Sequence, residues 1–327
     1  MPVSNPDSNC EPRISTPTRR RITPKLKMNA PCLTIVVPVF NRPTELRRAL
    51  ASLSAQTLAD FECIVVDDAS TESIESVVQE FDDRFRYIRR DANGGCAAAR
   101  LDGFRQCKDG YVTTLDSDNE LYPWALDRAA RLLDQHASAD CVTGLYVFPD
   151  GLRNPVEGGQ LLMKPVDYMI SSNLGASDCQ YVVRWHVVER WLTRRTDYFS
   201  LDAQIWFAMS LEFNQLYIDE PWGVYHMDGT DRITESPDVR KYSDPVKFVN
   251  QYRPELGTMP CRPLDEYLQR AWVTLWRAKR SAEANVVGAW MDERGVSRRW
   301  TIIEFGSRMV RRLITAPTPK VITQPEA

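Results

Sequence analysis

The chain has 327 residues, of which 41 are basic and 44 are acidic, so its net charge at pH 7 is −3. This balance gives no reason to expect a nucleic-acid partner, because nucleic-acid-binding domains usually carry a clear basic excess. No apolar run approaches the roughly 20 residues that a membrane-spanning helix needs, and the eight cysteines contain no Cys-x-x-Cys pair. We therefore expect buried thiols in a reducing compartment, without a disulfide framework, and a cytoplasmic protein.

The N-terminal segment, residues 1–31, contains six prolines and the basic cluster Arg19-Arg20-Arg21. It has too little apolar surface to offset the entropy lost on ordering, and we predict a disordered tail. A second disordered tail is predicted over residues 317–327.

Strand and helix patterns alternate from residue 33 onward. A near-continuous β-branched run predicts a first strand buried on both faces, three further strands are predicted after it, and apolar residues at helical spacing predict helices between them. The strands are 33–40, 61–68, 85–89 and 111–115, and the helices are 43–56, 72–81 and 97–107. Such alternation indicates βαβ units and a parallel sheet, as in a nucleotide-binding half-domain.

The alternation fades beyond residue 140. Two further strands and three further helices are predicted there. The strands are 141–148 and 180–184, and the helices are 202–212, a single long helix over 264–291, and 298–314. Residues 298–314 carry five arginines against one acid, a composition that suits either contact with an anionic membrane surface or packing on the rest of the protein.

Polar side chains follow three of the predicted strands, namely Asn41-Arg42, Asp67-Asp68 and Asp116 to Asn119. Carboxyl ends of parallel strands meet at one edge of a sheet, which is where α/β proteins bind ligands. Paired carboxylates in Asp116-Ser117-Asp118 suit a hard divalent cation, which prefers oxygen ligands. An arginine at this edge can pair with a phosphate. Asn93-Gly94-Gly95 is a turn whose glycines allow close approach of backbone to a ligand.

Each of these features also has a simpler interpretation. The Asp-x-Asp could be a solvated turn, and the two glycines could serve only to reverse the chain. Arg100 could form a structural ion pair, and Asp202 could be the N-cap of the helix that follows it. The sequence has no Gly-x-Gly-x-x-Gly and no Gly-Lys-Ser/Thr, so neither a dinucleotide fold nor a P-loop is supported.

The motifs occur in a characteristic order, as follows: Pro38-Val-Phe-Asn41, Gln56-Thr57, Val66-Asp-Asp-Ala-Ser70, Asn93-Gly-Gly, Ala99-Arg100, Leu115-Asp-Ser-Asp-Asn119, Tyr181-Val-Val-Arg184, Ser200-Leu-Asp-Ala-Gln-Ile-Trp206 and Val224-Tyr-His-Met-Asp-Gly229. Together they resemble the signature of family 2 glycosyltransferases, the inverting enzymes of the GT-A fold. The resemblance covers about residues 32–234 and is specific as a combination, although no single motif is.

The resemblance implies an α/β protein with the GT-A fold of nucleotide-diphospho-sugar transferases, a Rossmann-like mixed sheet flanked by helices. It implies a glycosyltransferase domain over 32–236, with a nucleotide-sugar-binding half at 32–120 and an acceptor-side half at 121–236. Residues 237–316 would then form a helical C-terminal region.

The resemblance also assigns expected roles to individual residues. Pro38, Val39 and Phe40 would line the nucleoside pocket, and Asp68 would bind the base. Arg42 and Arg100 would contact the diphosphate or sugar, and Asp116 would lie near the ribose or donor sugar. The remaining expected nucleotide-sugar-binding residues are Gly94, Gly95, Ser117 and Asp118. Asp118 and His226 would hold a divalent metal, with manganese expected ahead of magnesium, and Asp202 would be the general base.

Two positions depart from the family pattern. Leu201 stands where the family has the Glu of a Glu-Asp pair, and Asn119 stands where a third acid is frequent. These departures affect the expected acceptor side more than the donor side.

The expected activity is transfer of a sugar from a nucleotide donor, most simply a UDP-sugar, to a glycan, glycolipid or small-molecule acceptor, as in a hexosyltransferase. A sugar-nucleotide nucleotidyltransferase and a catalytically silent nucleotide-sugar-binding protein stay open as alternatives. Peripheral membrane contact through 298–314 and a homodimer stay open as further partner arrangements.

Overall fold

The computed structural model describes residues 33–149, 151–152, 160–163, 179–193, 198–199, 212–227, 238–258 and 262–298. The predictions for both tails, for Asp202 and for nearly all of the helices 202–212 and 298–314 lie outside these ranges.

The described residues form a mixed sheet with helices on both faces. Its strands are β1 Leu33–Val39, β2 Phe61–Asp67, β3 Phe85–Arg89, β4 Tyr111–Thr114, β5 Glu120–Leu121, β6 Cys141–Phe148, β7 Gly151–Leu152, β8 Gln160–Met163, β9 Cys179–Arg184 and β10 Gln215–Val224. The helices are α1 Pro43–Ser54, α2 Glu75–Val78, α3 Cys96–Phe104, α4 Ala125–Gln135, α5 Trp185–Leu192, α6 Asp244–Leu256, α7 Arg262–Arg277 and α8 Ser281–Glu293. A 3₁₀ turn, Val239–Ser243, leads into α6.

The strands are ordered β3-β2-β1-β4-β9-β6-β10-β5 across the sheet. β1, β2, β3 and β4 are parallel to one another, as the sequence predicts. β9 lies between β4 and β6 and is antiparallel to both, which makes the sheet mixed.

Alternate residues of β1 supply two cores on opposite faces of the sheet, because successive side chains of a strand point to opposite sides. Ile35 and Val37 pack on the side of α1, α2 and α4. Val36 packs on the side of α3, α5 and the C-terminal helices. Burial on both faces explains why the strand reads as a continuous apolar run.

The C-terminal helices join the second of these cores through aromatic packing. The ring centre of Phe248 in α6 lies 4.5 Å from the ring centre of Tyr267 in α7 and 6.3 Å from that of Trp290 in α8. This packing attaches the helical region to the sheet beside α3. Within the ranges that the structure describes, no helix has the length and apolar character needed to cross a membrane.

The prediction of one long helix over 264–291 is wrong. The chain turns between α7 and α8, where Lys279 adopts a φ of 58° and the N–H of Arg280 donates to the Leu275 carbonyl. The turn allows the apolar faces of both helices to reach the core. It contains neither Gly nor Pro, so the sequence gives no break signal there.

The prediction for residues 72–81 is also too long, because only Glu75–Val78 is helical. Cys63, Cys96, Cys107 and Cys141 are free thiols, and all of them except Cys96 are buried as expected. Burial raises the pKa of the Cys107 thiol to about 12.

Helix α3 rests directly on β1 through Gly103. A Cβ at this position would lie 2.3 Å from Cγ1 of Val36, whose side chain is itself fully buried. The absence of a side chain at Gly103 therefore sets how closely α3 approaches the sheet.

We expect Gly103→Ala to lower the free energy of unfolding by about 1–3 kcal/mol through overpacking, which outweighs a helix-propensity gain of about 1 kcal/mol. Val36→Ala alone should cost about 2 kcal/mol by leaving a cavity. The double variant should lose less than the sum, because the new methyl enters the vacated space. Urea unfolding followed by tryptophan fluorescence measures all three, and additive losses would contradict the proposed contact.

Candidate active site

The strand ends predicted to form a site do meet at one edge of the sheet. Val39 at the end of β1 is in register with Asp67 at the end of β2, and Val36 pairs with Thr114 at the end of β4. The polar residues that follow these strands therefore face a common region.

The Asp-x-Asp turn is held by two arginines from neighbouring segments. Arg42 Nη1 donates to Asp118 Oδ2 over 2.5 Å, and Arg100 Nη2 donates to Asp116 Oδ1 over 2.5 Å. Asn119 N–H closes the turn on the Asp116 carbonyl. The structure thus brings together four predicted site residues from three separate stretches of sequence.

The environment of Asp118 in this turn disfavours its negative charge. Burial, and then the negative charge of Asp116, raises the pKa of Asp118 above its ordinary value, and Arg42 opposes the shift only in part. A carboxylate in this state is stabilised by an additional positive charge. The turn therefore suits a bound cation.

Asp68 follows β2 at the same edge of the sheet and is nearly inaccessible to solvent. Its Oδ1 accepts from the Gly94 N–H at 2.9 Å and from Arg90 Nη1 at 2.5 Å, and its Oδ2 accepts from the Gly95 N–H at 2.7 Å. The predicted base-binding acid thus holds the Asn93–Gly95 loop in place. A direct contact with a base stays a prediction.

Gly95 is required at its position for two reasons. Its φ is 89°, a value that favours glycine, and a Cβ would lie 2.5 Å from Cδ2 of Phe199. Helix α3, which carries Arg100, begins directly after it. The loop therefore sets the start of the helix as well as the surroundings of Asp68.

Asp67 has a separate structural role. It accepts from the Ser70 N–H, from the Tyr87 hydroxyl and from Arg89 Nη1. These bonds hold the turn after β2, in which Ala69 has a φ of 64°.

The predicted nucleoside pocket residues end β1. Pro38 and Val39 are buried, and the Val39 carbonyl accepts from the Asp68 N–H. Phe40 is 39% exposed, a large fraction for an aromatic ring and one that leaves it available to a ligand.

His226 lies next to the Asp-x-Asp turn. Its N–H donates to Asn119 Oδ1 at 3.2 Å, and its Nε2 lies 2.6 Å from Glu120 Oε1. Asn119, a departure from the family pattern, therefore fixes the backbone of the predicted second metal ligand.

The described part of the chain contains no group of three or more His, Cys, Asp or Glu side chains arranged to hold a metal by themselves. A cation bound through substrate phosphates needs only one or two carboxylates from the protein. Asp118 fits this requirement, since its surroundings favour an added positive charge.

Three residues that the sequence patterns did not mark help to build the site. Arg90 holds Asp68, Arg48 Nη2 donates to the Asp118 carbonyl, and Glu120 contacts His226. Arg90 directly follows β3, so the strand-end rule used for the other residues would have found it. Arg48 lies within α1, and no local pattern marks it.

The carboxylates of Asp68 and Asp118 should respond in opposite ways to amide substitution. In Asp68→Asn one carboxylate oxygen becomes an NH₂ that faces a backbone or guanidinium donor, so the free energy of unfolding should fall by about 2–4 kcal/mol. Asp118→Asn removes a charge that burial and Asp116 disfavour, so stability at pH 7 should be unchanged or higher.

Chemical denaturation of the two variants beside the wild-type protein measures both effects. Equal losses of stability in the two variants would contradict the view that the charge of Asp68 stabilises the fold while the charge of Asp118 is electrostatically disfavoured.

Part of this chain is similar in sequence to known glycosyltransferases. Residues 34–190 match the family model described as glycosyl transferase family 2. An uncharacterized glycosyltransferase, RP339 of Rickettsia prowazekii, is 30% identical over 118 residues, covering 36% of this chain and 37% of the relative. The GalNAc(5)-diNAcBac-PP-undecaprenol beta-1,3-glucosyltransferase of Campylobacter jejuni is 34% identical over 119 residues, covering 34% of this chain and 38% of the relative. The matched segment thus spans little more than a third of either relative.

Solved structures extend the likeness beyond that segment. The crystal structure of S. aureus TarS 1-349 in complex with UDP-GlcNAc aligns with 82% of this chain and 91% of its own, with a TM-score of 0.57 and 15% identity. This likeness concerns the fold, and it confirms the expected GT-A architecture with a helical C-terminal region. The match of residues 34–190 to the glycosyl transferase family 2 model thus lies within a fold of the GT-A type.

Proposed function

We propose that this protein is an inverting glycosyltransferase that moves a sugar from a UDP-sugar to a hydroxyl acceptor, with a divalent metal at Asp118 and Asp202 as general base. The observation that carries this proposal is the meeting of Arg42, Arg100, Asp116 and Asp118 where the parallel strands end. Guanidinium and carboxylate groups at such an edge are the groups that a diphosphate with its cation requires.

A UDP-linked donor is supported by the solved structures of similar fold. TarS 1-349 has been crystallised with UDP-GlcNAc and with UDP. In this chain, Arg42 and Arg100 are each paired with a carboxylate of the Asp-x-Asp turn. Arg42 and Arg100 would be the groups that bind phosphate oxygens of a diphosphate, and the carboxylates would be the groups that hold its cation.

The proposed metal ligands are Asp118 and His226. When bound, a divalent ion would offset the charge that develops on the departing diphosphate. A mixed oxygen and imidazole set favours manganese over magnesium. Glu120 contacts His226 Nε2 and Asn119 holds its backbone, so the side chain is restrained beside the turn.

Asp202 is proposed as the base from its motif. Inversion requires the acceptor hydroxyl to attack the anomeric carbon opposite the leaving group, with a carboxylate taking the hydroxyl proton. Phe199, three residues before Asp202, accepts from the Ala97 N–H at the start of α3.

For the acceptor, we propose a hydroxyl of a glycan or glycolipid. The C. jejuni relative is named as a glucosyltransferase of GalNAc(5)-diNAcBac-PP-undecaprenol, a lipid-linked glycan, and this supports the proposed acceptor class.

A screen of nucleotide sugars tests the activity. Purified protein with manganese is first screened by thermal shift, and stabilising donors are then assayed for product. Release of nucleoside diphosphate supports glycosyl transfer. Release of pyrophosphate would instead indicate a nucleotidyltransferase, and absence of both products with every donor would indicate a silent binding protein.

We expect Asp118→Ala to remove the increase in UDP affinity that manganese produces, because the metal loses its carboxylate. Metal-free binding of UDP should be retained, since Arg42 and Arg100 are still present. Calorimetric titration with and without manganese measures the difference. Asp127→Ala is the matched control, because Asp127 pairs with Arg131 along helix α4. A manganese effect that survives in Asp118→Ala would reassign the metal ligand.

We expect Asp202→Asn to keep UDP affinity near the wild-type value while transfer falls by about 100-fold or more, the usual range for loss of a general base. Single-turnover assays with the donor found in the screen measure transfer, and Asp127→Asn is the isosteric control. Retained transfer would move the role of base to another residue.

A further inference from the structure

We propose that Arg240 is a positioning residue for nucleotide binding, and that through it the C-terminal helical region forms part of the donor site. This inference rests on the proposed function, since it concerns the loop beside the proposed base-binding acid.

The Asn93–Gly95 loop needs support from outside itself. Two of its three residues are glycines, which lose more conformational freedom on ordering than other residues. Its two glycine N–H groups must nevertheless stay aligned on the buried carboxylate of Asp68. Any loosening of the loop would remove both backbone donors from that buried charge and leave only the bond from Arg90 among those described above.

Arg240 supplies this support from far along the chain. Its Nη1 donates to the Asn93 carbonyl and its Nη2 to Asn93 Oδ1, both over 2.8 Å. Its Nε and Nη2 donate to Asp238 Oδ2 at 2.9 and 2.5 Å, so Asp238 orients the guanidinium through its Nε and Nη2 side. Charge-assisted bonds to both the backbone and the side chain of one residue fix position as well as distance.

Phe199 connects the same loop to helix α6. The guanidinium of Arg240 lies 4.5 Å from the centre of its ring, the geometry of a cation–π contact. The Phe199 N–H donates to Oδ1 of the buried Asp244, the first residue of α6, and its carbonyl accepts from the Ala97 N–H. The loop and the start of α3 are therefore both held by one end of the helical region.

The electrostatics agree with this arrangement. The hydrogen-bonded carboxylate of Asp238 raises the pKa of Arg240, and the charge of Asp68 contributes in the same direction. Arg240 therefore acts on the loop through hydrogen bonds and on Asp68 through space.

A purely structural role and a positioning role predict different results. If Arg240 only anchors the turn before α6, its loss lowers thermal stability and leaves the affinity for nucleotide unchanged. If it positions the loop, its loss weakens nucleotide binding and raises KM for the donor, with kcat little changed, because the reacting groups stay in place.

The test uses full-length Arg240→Ala, Asn93→Ala, their double variant and Arg240→Lys. Arg253→Ala is the matched control, because Arg253 is an arginine of similar exposure that pairs with Glu293 away from the loop. UDP affinity is measured by calorimetry with manganese, and amide hydrogen exchange is measured for the peptide that contains residues 93–97.

We expect Arg240→Ala to weaken UDP binding by about tenfold, the effect of losing roughly one net charge-assisted hydrogen bond. Exchange at Gly94 and Gly95 should accelerate by a similar factor, whereas Arg253→Ala should change neither quantity. Arg240→Lys should restore part of the affinity, and the double variant should lose less than the sum of the single variants.

The outcomes separate this inference from the proposed function. If the wild-type protein binds no UDP, both the proposed function and the donor-site role of Arg240 are overturned. The hydrogen-exchange data would still test whether Arg240 holds the Asn93–Gly95 loop. Wild-type protein that binds UDP, with Arg240→Ala binding equally well, would overturn the inference alone. Unchanged exchange at the glycines would do so as well.

Discussion

The buried carboxylate of Asp68 is the interaction on which the site depends. A charge removed from water must be met by donors, or the fold loses several kcal/mol. Here the donors are two glycine N–H groups and Arg90. By recruiting the glycines, Asp68 fixes the loop after β3, the start of α3 and hence the position of Arg100. The preceding acid, Asp67, holds the turn after its own strand, so two adjacent carboxylates organise two different loops.

Much of the sheet could be predicted because β1, β2 and β4 are largely buried and are rich in β-branched and other apolar residues. β10 could not, since it includes Asp219, Glu220 and Pro221, and its pairing with β6 shifts register at that point. A strand with an irregularity of this kind has neither the alternation nor the continuity that a sequence pattern requires. The turn at Lys279 escaped prediction for a related reason, because tertiary packing imposes a backbone conformation that its residue type does not signal.

The candidate site shows the same division. Arg42, Asp68, Asp116 and Asp118 follow strands, so the topology alone predicts that they share an edge. Arg240 is 147 residues from Asn93 along the chain, and only the packing of the helical region brings the two together. No sequence pattern predicts that Phe199 lies beside Gly95, because its position depends on the hydrogen bond from its N–H to Asp244. The residues expected to contact a ligand could therefore be predicted from the sequence more easily than the residues that hold those ligand-contacting residues in place.

The strand order also constrains how the protein is made. β4 pairs with β1 on one side and with β9 on the other, yet β9 comprises residues 179–184 and follows β4 by a long stretch of chain. During synthesis, the parallel sheet of the first four strands can assemble while one edge of β4 still has no neighbour. Open strand edges pair readily with other chains, and nascent chains are aggregation-prone while they expose them. The later half of the domain thus acts as the cover for an edge that the earlier half creates, and a ribosome that stalls between the two leaves that edge exposed.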